Sequence, residues 1–215
     1  IDGASGRGKS SLMRAGVLPQ LEQRSAGRWI VLPIVENCQT AADDIAEALA
    51  GAVTNPILTG GSVESATATH KIWRERFKSD ARSALIDWKR EMRMLRGRED
   101  AVALLPIDQG EEIFTLASPT ERTAALRLIH AMVAGPTNKV VLMTLRGDCR
   151  DALMDAEVDG EKVFGPKTLV FHTLGGLPTL HIGEIVRRPA ERARLSQVSS
   201  DLIDQLNNIF ISLAN

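Results

Sequence analysis

The stretch Gly3-Ala4-Ser5-Gly6-Arg7-Gly8-Lys9-Ser10 fits the spacing G-x-x-x-x-G-K-[ST], and no other feature constrains the chain's fold as much. Glycine tolerates positive φ and presents no Cβ, so such a loop can turn tightly and let another group approach its backbone. Several N–H groups then converge on one spot, a nest for phosphate oxygens. The helical pattern that follows adds free N–H groups and the positive end of its dipole. The candidate phosphate-binding residues are Gly3, Ser5, Gly6, Arg7, Gly8, Lys9, Ser10 and Ser11. Lys9 is expected to meet the β- and γ-phosphates as a point charge, and Ser10 to ligate Mg²⁺. A loop of this kind normally follows a buried strand. Only Ile1 and Asp2 precede Gly3, so the chain reads as a piece of a longer polypeptide cut within its first strand.

Downstream, strand and helix patterns alternate. Residues 10–24 read as the helix after the loop, with Pro19 as a kink or division. The run WIVLPIV, Trp29 to Val35, reads as a buried strand, and Thr40 to Val53 as a helix. His70 to Leu95 is the longest helical pattern, with Trp73, Phe77, Ala84, Leu85, Trp88 and Met92 spaced by threes and fours. Its other face carries Arg74, Lys78, Arg82, Lys89, Arg93 and further cations, interleaved with acids, and reads as solvated. Strands follow at Asp100 to Asp108, Val140 to Leu145 and Lys167 to Leu174. A helix capped by Ser118 or Thr120 stands between the first two of these. The alternation predicts an α/β fold with a mostly parallel sheet covered on both faces.

A second motif gives the loop a partner. Asp108 ends the apolar run VALLPI, at the strand end where α/β sheets place ligands, and would hold Mg²⁺ together with Ser10. Glu111 and Glu112 follow at once, and either would polarise a water for attack on a γ-phosphate. Arg146 follows another strand, placed to reach a γ-phosphate or to pair with Asp148 or Asp151.

Composition excludes some classes. The 215 residues are 44% hydrophobic with a net charge of −1, which gives no global attraction to nucleic acid or membrane. No apolar run approaches a membrane span. Two distant cysteines, Cys38 and Cys149, fit neither a disulfide framework nor a metal spacing, and point to a cytoplasmic setting.

The stretches GASGRGKSSLMRAGVLPQL, LLPIDQGEEIFTLASPTERTAALRLI, VVLMTLRGDCRDAL and EIVRRPAERARL together resemble the STAND class of signal-transduction NTPases, most nearly the novel STAND group nSTAND1. The resemblance implies a P-loop NTPase three-layer sandwich over residues 1–176, carrying a basic helical insertion at 55–98. A helical lid would begin at 177–215, with Pro189 as a nucleotide contact. It implies ATP or ADP with Mg²⁺ as ligands (GTP in their place). It also implies slow hydrolysis through Glu112 or Glu111 with Arg146 as sensor, and a switch that drives self-association of a protein with linked effector or sensor domains. Gly110 departs from the aromatic usual at its place in the family pattern. An alternative is a nucleotide-binding scaffold without turnover, whose basic helix engages nucleic acid or a protein. Phosphoryl transfer to a small acceptor ranks last, since no acceptor motif is visible.

Overall fold

A computed structural model describes residues 1–24, 27–54, 63–134, 138–165 and 168–175, together with Gln205. The chain divides into two compact units, Ile1–Leu174 and Gly175–Asn215, and every element named below lies in the first. Strand β1 is Asp2–Gly3, followed by the glycine loop and helix α1, Lys9–Ser11. The helix continues through a π-wound segment, Leu12–Val17, into α2, Leu18–Arg24. Next come β2 (Trp29–Val31), a short 3₁₀ turn (Cys38–Thr40) and α3 (Ala41–Thr54). Helices α4 (Val63–Ser79) and α5 (Ala81–Arg96) precede β3 (Val102–Ile107). Then follow α6 (Glu112–Thr115), α7 (Pro119–Val133), β4 (Lys139–Met143), β5 (Leu145–Arg146) and α8 (Arg150–Met154). A hairpin of β6 (Glu157–Val158) and β7 (Glu161–Lys162) follows α8.

All the named strand pairings except this hairpin are parallel. β3 lies between β2 and β4, with Ile30 opposite Ala103 and Ile107 opposite Met143. Thr144 alone separates β4 from β5, and β1 pairs with β5 through Asp2 and Leu145. The nitrogen of Ile1 donates to the Met143 carbonyl at 2.7 Å, and Leu145 N–H returns a bond to Ile1 at 2.9 Å. On its other side Asp2 bridges in parallel to Thr173, giving β1 a neighbour on each edge.

β3 shows why an unbroken apolar run forms here. Ala103, Leu105 and Ile107 turn to a large core built with α3, α5 and α7, including Ile45, Leu49, Trp88, Leu126 and Ile129. Leu104 turns the other way, onto Met13 and Leu18 of the helix after the glycine loop. Period-two alternation thus buries both faces, so no polar position survives between Val102 and Ile107.

Several boundaries differ from the sequence expectation for local reasons. The strand expected from Trp29 to Val35 stops at Val31, because Pro33 brings no N–H to the ladder. Pairing resumes at Val35, whose N–H reaches the Pro106 carbonyl at 3.0 Å. The long helix at 70–95 is two helices, broken at Asp80, whose carboxylate caps α5 by accepting from Ser83 N–H at 3.1 Å. The strand expected at Lys167 to Leu174 is reduced to the bridge at Thr173; Lys167 lies outside the described residues. Of the two candidate caps on α7, Ser118 is the one whose hydroxyl accepts from Glu121 N–H.

The basic face of α4 is not simply solvated. Lys78 pairs with Asp43 at 2.5 Å, and Arg74 reaches Asp43 and Glu47 at 3.4 and 3.5 Å, tying α4 to α3. Arg76 pairs with Asp87 across the break at Asp80. Among the described residues no helix is long and apolar enough to cross a membrane.

Candidate phosphate and metal site

The glycine loop owes its shape to positions that only glycine fills without strain. Gly6 and Gly8 have φ of 75° and 80°, and Gly8 is the left-handed residue from which α1 starts. Gly3, at φ 152°, lies so close to the Leu174 carbonyl that a Cβ would stand 2.8 Å from its oxygen. Ser5, Gly6, Arg7 and Gly8 are exposed at the rim, as is Ser11 on the first turn of the helix. Lys9 is buried and folds back over the loop, its ammonium donating to the carbonyls of Gly3 at 3.0 Å and Ala4 at 2.9 Å.

Asp108 stands where β3 ends and is 2% exposed. One oxygen, Oδ1, accepts from Ser10 Oγ at 2.8 Å, from Thr144 Oγ1 at 2.5 Å and from Gln109 N–H at 3.1 Å. The other, Oδ2, accepts from Arg14 Nε at 2.9 Å and Nη2 at 2.8 Å. Burial by itself would raise the Asp108 pKa. The bonds from Thr144, Ser10 and Arg14 outweigh that desolvation and hold the carboxyl below its ordinary value, so it is ionised at neutral pH. Thus the structure brings together Ser10 and Asp108, which lie 98 positions apart in the sequence.

Three members of this network escape a reading of the sequence. Arg14 projects from the π-wound segment, where Leu18 N–H bonds five residues back to Met13. Pro19 has no N–H for the usual partner at Ala15, which accounts for looser winding just ahead of it. Arg14 also donates through Nη1 to Glu36, at 2.6 Å. Thr144 is buried at the junction of β4 and β5, where it also accepts from Gln109 N–H at 2.8 Å. No spacing rule links these positions to Asp108, because strand order in space joins them.

The remaining candidates sit around the same strand ends. Gln109 has φ 54°, and Gly110 N–H donates to the Thr144 carbonyl at 2.8 Å. A Cβ at Gly110 would run into the Met143 thioether, so glycine here makes room for that side chain. Glu111 turns toward β5 and accepts from Arg146 N–H at 3.2 Å. Glu112 is the first residue of α6, where a carboxylate complements the helix dipole. The Arg146 side chain is half exposed and forks onto Asp148, at 3.1 and 2.6 Å, which is one of the two pairings its position in the sequence allows. Pro189 lies outside the described residues.

The donors fit a hard divalent cation. A hydroxyl and an ionised carboxylate side by side are the oxygen set that Mg²⁺ takes from a protein when phosphates complete its shell. Among the described residues no cluster of three or more His, Cys, Asp or Glu could hold a metal alone, so a cation here would rely on oxygens of its ligand.

The model of one protein family, Novel STAND NTPase 1, matches residues 1–209. No curated protein and no solved structure matches the chain.

Proposed function

The chain belongs to the Novel STAND NTPase 1 family, and on that premise we propose that it is a nucleotide-dependent switch which binds ATP (or GTP) with Mg²⁺, hydrolyses it slowly and couples its state to self-assembly of a larger cytoplasmic protein. The observation that carries this reading is the 2.8 Å bond from Ser10 of the glycine loop to the buried, ionised Asp108. A loop shaped for phosphate and a carboxylate suited to a metal are thereby held at one point.

In this reading the core is a three-layer sandwich over 1–176 with its helical insertion at 55–98, and a lid begins at 177–215. The parallel sheet and the two-sided burial of β3 support the sandwich. The backbone N–H groups of residues 5–11 receive the phosphates. Lys9 exchanges its two carbonyl partners for phosphate oxygens. Ser10 and Asp108 hold Mg²⁺, which would neutralise charge on the phosphates when bound. Glu112, or Glu111 in its place, orients and deprotonates the attacking water; Glu111 is the one that accepts from Arg146 N–H. Arg146 leaves Asp148 for the γ-phosphate and so distinguishes triphosphate from diphosphate, the differential contact that a two-state switch needs. Ion pairing of Arg74 and Lys78 with α3 counts against nucleic acid as the partner of the basic face.

Calorimetry with ATP and Mg²⁺ tests the reading. Lys9→Ala removes charge-assisted bonds worth roughly 1.5–3 kcal/mol, so affinity is expected to fall about ten- to hundredfold. Equal affinity for Lys9→Ala and the parent would end the assignment of this loop to phosphate.

A further inference from the structure

We propose that Arg14 is a tethered cation that sets how strongly this site depends on magnesium, a role that rests on the nucleotide and Mg²⁺ reading above. Both oxygens of Asp108 are fully engaged. Oδ1 takes Ser10, Thr144 and Gln109 N–H, and Oδ2 takes two donors from the Arg14 guanidinium. A divalent ion held at Ser10 and Asp108 needs some of that carboxylate's accepting capacity for its own shell of oxygens and waters.

The donors differ in what they can give up. Thr144 is 1% exposed and fixed between two strands, and Gln109 N–H belongs to the backbone. Ser10 can turn its lone pairs to a cation while keeping its hydroxyl proton on Asp108. Among the described residues, Arg14 is the side-chain donor to Asp108 that has a second acceptor in place. Its Nη1 already donates to Glu36 at 2.6 Å, and its side chain is 37% exposed against 3% for Asp108. It can leave Oδ2 without being left unpaired. The guanidinium is always charged, so it neutralises Asp108 when no divalent ion does and repels that ion when one arrives. Arg14 therefore weakens the metal's grip and makes nucleotide binding less dependent on Mg²⁺ than a bare Ser10–Asp108 pair would.

The test measures ADP affinity of the full chain by calorimetry, in Mg²⁺ and again in EDTA, and reads the ratio of the two. Arg14→Gln is expected to raise that ratio about tenfold, the scale of one charge acting on a divalent ion in water-like surroundings. Arg14→Lys keeps a cation on the same tether and is expected to stay within a few-fold of the parent. Glu36→Gln removes the second anchor and one negative charge, so its ratio should fall. An unchanged or lowered ratio in Arg14→Gln overturns the proposal. Should that variant fail to show a folded melting transition, Glu36→Gln decides, and an unchanged or raised ratio there overturns it equally. A parent chain that binds ADP in neither buffer refutes the nucleotide reading itself, and this role with it; a parent that binds while the ratios stay level refutes this role alone.

Discussion

Cys38 is buried beside the site, its thiol directed at the Asp108 carbonyl at 3.5 Å. Desolvation first, then the nearby charges of Glu112, Glu111, Asp108 and Asp44, push its pKa from an ordinary 9.0 up to about 12. Between those values the unfolded chain has released the thiol proton and the folded chain still holds it. The folded state binds more protons there, so stability contributed by Cys38 is intact below pH 9 and is lost as pH rises toward 12. Urea midpoints measured from pH 8 to 11 should fall less steeply in Cys38→Ala than in the parent, and equal slopes would exclude this group as the cause. At pH 8 iodoacetamide should label the half-exposed Cys149 well before Cys38, which mass spectrometry resolves. Catalysis is argued at the same scale. Under single-turnover conditions, Gln at the true base among Glu111 and Glu112 should keep nucleotide affinity and slow hydrolysis on the order of 10²–10⁴-fold. Parent-like rates in both variants would remove the two glutamates from the mechanism. Asp108 itself was legible in the sequence, because a carboxylate closing an apolar strand has few structural uses. Arg14, Glu36 and Thr144 were not, since nothing local to them records which strand end they will face.

At the scale of elements, the sequence announces a helix better than it announces its interruption. The apolar spacing from Trp73 to Met92 continues through Asp80 without a phase break, and its five large side chains, Trp73, Phe77, Leu85, Trp88 and Met92, are buried in the structure. What divides α4 from α5 is a capping carboxylate with no glycine or proline to advertise it. Asp80→Ala removes the bond to Ser83 N–H and is expected to cost about 1 kcal/mol, read as a lower chemical midpoint; an unchanged midpoint would mean that packing alone sets the break. The hairpin β6–β7 went unread for the opposite reason. Asp159-Gly160 is a strong local turn signal, and both residues adopt positive φ, at 53° and 79°, but its strands are only two residues each and carry no pattern. The charged face of α4 carries its own expectation. Reversing Arg74 and Lys78 to Glu places like charges against Asp43 and Glu47, so the melting temperature should drop while nucleotide affinity stays within a few-fold. A tenfold loss of affinity with an unchanged melt would place α4 in the nucleotide chemistry instead.

At the scale of the whole unit Ile1–Leu174, the parallel sheet separates two apolar regions with different duties. Leu105 faces the large core of α3, α5 and α7, whereas Leu104 supports Met13, in the helix that carries Ser10 and Arg14. Truncation to Ala at either position should cost about 2–5 kcal/mol. Only Leu104→Ala should also weaken nucleotide binding severalfold, because the void opens beneath the site; equal affinities for the two variants would show that the helix keeps its seat without that contact. Alternation of strands and helices made this layering readable in outline. The pairing order was not readable, since it depends on contacts far apart in the sequence.

The two-residue strand β1 carries a temporal consequence. It is held by Met143 and Leu145 on one edge and by His172 and Leu174 on the other, with the Thr173 hydroxyl also bonded to the Asp2 carboxylate across 171 positions. Among the described residues, the hydrogen bonds of Asp2 run to these partners, all of them far along the chain. During synthesis the glycine loop therefore leaves the ribosome ahead of its frame and takes its final shape only after some 170 further residues have emerged. A nascent chain halted between Arg146 and Thr173 has every phosphate-binding residue present but β1 paired on one edge alone, so competence to bind nucleotide should rise sharply with length and mark the moment the second edge of β1 is covered.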